Sequence, residues 1–337
     1  MFENTNVYDC SKLNTGIKTI KSGYALSYMF YNCKYLVRVP ELPATTLAYN
    51  CYEYMFSYCS SLTTIPSNLL PATKLANNCY QYMFYNCTSL TKVPNLPATT
   101  LANNCYQYMF YNCTSLTKVP NLPATTLANN CYQYMFQNCT SLTTIPSNLL
   151  PATTLARYCY SYMFSSCTSL TTIPSNLLPA TLLADYCYAR MFQNCTSLTT
   201  IPSDLLPATT LGGSCYDHMF SSCASLTTVP ELPATTLESF CYQSMFSGCR
   251  SLVETPKGWY LPAQTIGTNS CSYMFSNCSK LQKMAVAYSG TITSSHWYSF
   301  LSGVSKTGTF YYSNNQTKEN IQSIVPSGWT LVQSTGW

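Results

Sequence analysis

The sequence predicts an α/β repeat solenoid, a stacked array with a parallel β-sheet on one face and short helices on the other. Three observations carry that prediction. The stretch Cys105-Tyr-Gln-Tyr-Met-Phe-Tyr-Asn-Cys113, followed by Thr-Ser-Leu-Thr-Lys-Val-Pro, recurs in some version ten times. Its Met-Phe pair falls at Met29, Met55, Met83, Met109, Met135, Met163, Met191, Met219, Met245 and Met274, in steps of 26, 28, 26, 26, 28, 28, 28, 26 and 29 residues. A fixed period in this range marks a repeat architecture, in which each unit touches only its neighbours and the stack grows in one dimension. Eighteen of the 19 prolines occupy two columns of the repeat, so the turns recur along with the period.

Residues 1–24 fall outside the repeat. Val7, Leu13, Ile17 and Ile20 are spaced apolar residues suited to covering the first unit, and the stretch reads as an N-terminal cap. Residues 25–280 hold the ten repeats. In the copy from Leu101 to Pro123, Leu101-Ala-Asn-Asn is a polar lead-in. Cys105, Met109 and Cys113 then follow at i, i+4 and i+8, with Tyr106 and Phe110 alongside, the spacing of one helical face. Asn103 or Asn104 is placed to cap that helix. At about two to three turns it would be marginal alone, so packing against neighbouring copies must hold it. Ser115 to Pro120 is the expected strand: Thr and Val favour extended backbone, and Pro120 has no N–H to continue a ladder. Asn121 to Leu127 is an extended return, with Leu122 and Leu127 inward and Pro123 excluding helix. The difference in repeat length has one source. Short copies read Val93-Pro-Asn-Leu-Pro97 and long ones Ile65-Pro-Ser-Asn-Leu-Leu-Pro71, two residues being added between the prolines. Such insertions map to one face of a solenoid. From Glu254 the pattern loosens, and residues 281–337 read as a C-terminal cap.

The stretch Tyr82-Met-Phe-Tyr-Asn-Cys-Thr-Ser-Leu90 and its copies resemble the BspA-like leucine-rich repeats. Met109-Phe110, Cys113, Leu116, Val119 and Pro120 match the pattern of that family in order. The endings Gly308-Thr-Phe310 and Pro326-Ser-Gly-Trp329 resemble the tails of many such bacterial surface proteins. The resemblance covers residues 24–337, with ten motifs in register. One departure stands out: the link from Leu101 to Phe110 is longer by about one helical turn than in family units of about 23 residues. The added piece contains the first Cys of each pair. The resemblance implies a curved, leucine-rich-repeat-like solenoid with a parallel sheet on its concave side. It also implies a non-enzymatic cell-surface or secreted adhesin.

Composition narrows the function classes. Charged residues are 8% of the chain, against roughly 25% in an average soluble domain. No run of about 18 apolar residues exists, so no membrane span is expected. Met1-Phe-Glu-Asn-Thr-Asn shows no charged region followed by an apolar one, so no secretory signal is expected in this sequence. The net charge is +5, with Lys and Arg scattered rather than striped, which argues against nucleic acid as a partner. No paired carboxylates, phosphate loop or nucleotide fingerprint appears, and no cofactor or catalytic residue is assigned. His218 follows Asp217 and lies near Ser221. On a short helix, adjacent side chains point apart, so this reads as a surface substitution; His296 reads as packing.

The 20 cysteines comprise Cys10, Cys33 and nine pairs such as Cys51/Cys59 and Cys215/Cys223. A disulfide needs Cα atoms within about 7 Å, whereas eight residues of helix span about 12 Å and stacked helices sit about 8–10 Å apart. Buried free thiols are therefore the expectation. Extended segments would instead stack at about 4.8 Å and admit bridges between copies. Zinc is disfavoured, since there is no close Cys-x-x-Cys and only two His residues.

Two repeated surfaces are candidates for recognition. One is a tyrosine stripe of Tyr54, Tyr82, Tyr85, Tyr108, Tyr111, Tyr134 and Tyr162, each a large apolar body with a polar tip. The other is the strand-face column Arg38, Thr64, Lys92, Lys118, Thr144, Thr172, Thr200 and Thr228, which is small, polar and positive toward the N-terminal end. The expected function is a monomeric binding scaffold for a protein or glycan ligand. The alternative is a structural or receptor-binding part of a larger assembly, such as a phage fibre.

Overall fold

The computed structural model describes residues 2–13, 16–256, 259–263, 265–288, 290, 292, 293, 295–313 and 316–334. The chain falls into two compact units, Met1–Leu170 and Thr171–Trp337.

In unit 1 the segment between the paired cysteines is a string of overlapping β-turns, not the helix its spacing suggests. Gln107 N–H donates to Asn104 C=O, Met109 to Tyr106, Tyr111 to Tyr108 and Cys113 to Phe110, each at 3.2 Å. These are i to i−3 bonds, and they use only alternate N–H groups. The remaining N–H groups leave the rung. Tyr106 donates to Cys131 C=O, Tyr108 to Gln133 and Phe110 to Met135, each at 3.0 Å. An α-helix requires every N–H to bond four residues back, so it is excluded here. Asn104, Tyr108 and Asn112 also adopt left-handed φ of 56°, 57° and 57°, which no right-handed helix contains. Asn103 does not cap a helix: its Oδ1 accepts the N–H of Asn129 in the next rung at 3.2 Å.

The parallel pairing also differs from expectation. In unit 1, bridges join Thr19 of the N-terminal stretch to Thr46 of the first return segment, and successive return segments at Lys74 to Thr100 and Thr126 to Thr154. The expected strand at Ser115–Pro120 stays coiled through Leu116, whose N–H turns back to Cys113 C=O at 3.0 Å. Only three residues then remain before Pro120, which lacks a donor. The link there is thin, for example Thr91 N–H to Thr63 C=O at 2.9 Å. The column is bridged at Asp9–Arg38, near the start of the unit. The return segment offers Ala, Thr, Thr and Leu after its last proline, so its donors are intact.

Before the first full rung, Phe2 N–H donates to Met29 C=O and Asn4 N–H to Tyr31 C=O, both at 2.9 Å. Phe2 stacks on Phe30 with ring centroids 5.3 Å apart. This stretch therefore carries half a rung of its own.

Unit 2 repeats the same rung. Leu182, Thr210 and Thr236 are joined by parallel bridges. Strand β1 (Thr236–Leu237) pairs in parallel with β3 (Thr265–Ile266). The chain then builds a parallel four-stranded sheet from β2 (Tyr260–Leu261), β4 (Lys283–Tyr288), β5 (Gly308–Ser313) and β6 (Trp329–Ser334), in the order β2-β4-β5-β6. Gly308 is required in β5: a Cβ there would lie 2.5 Å from Gln282 C=O and 2.7 Å from the Trp329 ring. Among the described residues the one α-helix is α1 (Lys318–Gln322), capped by Thr317, whose hydroxyl accepts from Asn320 N–H. Before β5, residues 295–303 form another turn rung without Cys or Met. It accepts from Cys271, Tyr273 and Phe275, and Ser299 and Gly303 are its left-handed residues.

The core consists of columns, one residue type per rung. Met55, Phe56, Cys59 and Leu62 are fully buried, and so are their counterparts in the later rungs of unit 1, whereas Met29 of the first copy is half-buried. Phe84, Phe110 and Phe136 stack with centroids 5.6 and 5.7 Å apart. Each such side chain contributes roughly 1.5–3 kcal/mol by burial.

Candidate binding surfaces

Tyr54, Tyr82, Tyr108, Tyr134 and Tyr162 form one face-to-face stack, with successive centroids 4.3, 4.6, 4.3 and 4.5 Å apart. Their left-handed φ, between 54° and 59°, points the same residue the same way in each rung. Tyr85 and Tyr111 form a second stack at 4.8 Å, set edge-on or tilted against Tyr82 and Tyr108. All seven are half-buried. The ring faces are therefore covered by neighbouring rings, and what reaches solvent is a comb of ring edges and hydroxyls. Burial pushes the Tyr54 and Tyr108 phenols up strongly, with nearby Tyr groups adding to the effect. Tyr85 is raised to about 12 by the same causes.

Amide ladders run through the same rungs. Asn104 Nδ2 donates to Asn78 Oδ1 at 2.8 Å, and Gln81, Gln107 and Gln133 link in series. A different tyrosine column, Tyr52, Tyr80, Tyr106, Tyr132 and Tyr160, is wholly inside the core.

Arg38, Thr64, Lys92, Lys118 and Thr144 of unit 1 are exposed in their column; in unit 2, Thr172 and Thr200 are exposed and Thr228 is half-buried. Arg38 is ion-paired to Asp9 at 3.2 Å. Asp9 is held below the usual carboxylate range first by hydrogen bonds from Ser11 and then by Arg38. Two adjoining clefts of about 340 and 290 Å³ open beside Arg38, sharing Ser11, Val39 and Pro66. They lie where a short loop, Pro40 to Pro43, meets a long one beginning at Pro66, so the two-residue insertion makes a step. A second exposed hydroxyl row lies outside both candidate surfaces: the Thr-Thr pairs of the return segment, such as Thr99-Thr100 and Thr125-Thr126. Its signal was the repeated Pro-Ala-Thr-Thr-Leu itself.

All 20 cysteines are buried and none is in a disulfide. Cys113 Sγ donates to Phe84 C=O at 3.2 Å and Cys139 Sγ to Phe110 C=O at 3.3 Å. The same pattern recurs in unit 2 at Cys223 and Cys249. Burial pushes Cys87, Cys105 and Cys167 up to about 12, which leaves them as unreactive thiols. Among the described residues no group of three His, Cys, Asp or Glu side chains is arranged to hold a metal, and no helix is long and apolar enough to cross a membrane.

Asp217 and His218 do meet, contrary to the helix-based expectation. His218 Nδ1 lies 2.6 Å from Asp217 Oδ1, and Arg190 Nε lies 3.3 Å from Asp217 Oδ2. In a turn string with a left-handed residue, neighbouring side chains can turn toward each other. Ser221 is buried nearby in sequence, and its N–H is bonded to His218 C=O. His296 packs against the rung before it, with Nδ1 3.0 Å from Gly267 C=O.

A solved structure to which this chain is similar is a leucine-rich cell surface protein from Faecalibacterium prausnitzii A2-165. It is 17% identical over 88% of this chain and 83% of its own, with a TM-score of 0.37. Comparison with curated proteins gives no match. The family described as BspA type leucine rich repeat region (6 copies) matches residues 1–119, 53–198, 121–253 and 192–323. Those matches span nearly the whole length: the chain belongs to the BspA type leucine-rich repeat family.

Proposed function

We propose that this chain is a non-enzymatic scaffold, displayed at a cell surface or secreted, that recognises a protein or glycan through a surface repeated from rung to rung. Residues 25–280 form the array, and residues 1–24 and 281–337 close its ends. The observation that carries the reading is the strand-face column, whose polar groups stand exposed in rung after rung. The tyrosine stripe ranks second, because its ring faces are already occupied by one another. Solenoids bind by such extended surfaces, since one rung offers little area and many rungs together offer enough.

The test is binding of purified protein to host cells and a glycan array. Variants carrying Ala at Thr64, Lys92, Lys118 and Thr144 are compared with variants carrying Phe at Tyr82, Tyr108 and Tyr134. Loss in the first set alone supports the strand face, and loss in the second alone moves the site to the tyrosines. A wild-type protein that binds nothing on either platform sinks the reading. A monomer is expected on a sizing column, whereas an obligate trimer would favour a fibre component.

A further inference from the structure

We infer that unit 1 holds a linear acidic polysaccharide along its strand-face column. The inference rests on the scaffold reading above and names the ligand class for one of its surfaces.

Between Glu53 and Asp185 the sequence contains no Asp or Glu, yet Lys74, Lys92, Lys118 and Arg157 stand in that stretch. Unit 1 carries nine Lys and Arg against four Asp and Glu, and unit 2 seven against seven, so the whole net charge of +5 resides in unit 1. Lys92 and Lys118 occupy the column on consecutive rungs and are exposed. Neither makes an ion pair among the described residues. Rungs that bond backbone to backbone follow one another at about 4.8 Å. Two ammonium groups on adjacent rungs with no carboxylate between them repel, and an anion lying across both removes that repulsion.

Around the lysines the surface is hydroxyl: Thr63, Thr64, Thr91, Thr117, Thr143 and Thr144 are all exposed. Thr91 Oγ1 donates to Thr63 C=O at 3.0 Å, which leaves its oxygen as an acceptor for a ligand hydroxyl. A row of hydroxyls and cations spaced by rung suits a polymer bearing both hydroxyls and acidic groups. A single-stranded nucleic acid fits less well, because this column has no aromatic side chain on which a base could stack. Arg38, at the end of the column, is already neutralised by Asp9 and lies outside the binding stretch.

The test uses the full chain, with heparin as the probe. Neutral dextran and a single-stranded oligonucleotide of equal charge serve as comparators. Heparin should bind and be released by rising salt, while dextran should not bind. The double variant Lys92→Gln/Lys118→Gln should bind about tenfold more weakly with unchanged thermal stability. Lys74→Gln, on the other threonine row, should stay within about twofold of the wild type. The proposal is overturned by an oligonucleotide that binds as tightly as heparin, by Lys74→Gln costing as much as the double variant, or by no heparin binding. If heparin fails while cell or glycan-array binding persists, this inference alone falls; if array and cell binding are also absent, the scaffold reading falls with it.

Discussion

Asn104, Tyr108 and Asn112 each sit in left-handed backbone, a conformation costing roughly 1–2 kcal/mol for an ordinary side chain. Asn tolerates it best among side chains other than Gly, and Asn112 Nδ2 also donates to Asn86 Oδ1. Tyr is a poor choice by propensity, and the stacking of its ring on both neighbours offsets the cost. Asn112→Ala should therefore destabilise by about 1–2 kcal/mol in urea melts, and Asn112→Gly by less, although both remove the amide. Equal losses would mean that the amide ladder, not the backbone, sets the choice. The thiols make a second prediction at this scale. Burial raises Cys87, Cys105, Cys159 and Cys167 from an ordinary value of 9.0 to about 12. The folded state thus keeps protons that the unfolded chain releases above pH 9. Their contribution to stability is whole below that pH and is lost as pH climbs toward about 12. The melting temperature should fall steadily above pH 9. At pH 8 a thiol reagent should titrate no cysteine in the native protein and 20 after denaturation. Early reaction of many thiols in the native state would show the columns to be open.

At the scale of the element, a period of four residues proved ambiguous. Cys105, Met109 and Cys113 match a helical face, but a turn string with a left-handed residue every fourth position has the same period. Local spacing does not separate the two, because the difference lies in where alternate N–H groups go. Tyr106 and Phe110 send theirs to the next rung, a partner 25 residues away. Far-UV circular dichroism should accordingly lack strong minima at 208 and 222 nm, and a helical spectrum would refute the turn string. The Phe column tests how the rungs hold together. Phe110 is fully buried between Phe84 and Phe136, so Phe110→Ala should cost about 3–5 kcal/mol by urea titration. A loss under about 1 kcal/mol would mean that the stack collapses to fill the gap. The same ambiguity explains the misplaced strand. Thr and Val recommended Ser115–Val119, but the turn closing at Leu116 left too few donors ahead of Pro120, and pairing moved to the return segment.

At the scale of the whole molecule, rungs that bond only to their neighbours should add up as a sum of rungs and nearest-neighbour interfaces. Residues 75–100 and 101–126 are identical in sequence. Deleting 101–126 therefore joins surfaces that already match, and every column keeps its partner. The shortened protein should fold and lose no more than about 5 °C in melting temperature. Deleting 101–113 instead removes half a rung and should abolish cooperative unfolding. If both deletions unfold the protein, the stack is not modular.

The sequence by itself determined the repeat, its length classes, the buried Cys, Met, Phe and Leu columns, and the family. All of these follow from side-chain identity recurring at a fixed period. It also named the tyrosine stripe and the strand-face column, because a repeated exposed residue is visible as a column of letters. Only the tertiary structure decided that the ribs are turns, that the tyrosine faces are spent on one another, and that Asp217 meets His218. Each of those depends on which rung a backbone group or ring reaches across to. That information lies in contacts about 26 residues apart, not in the spacing within one copy.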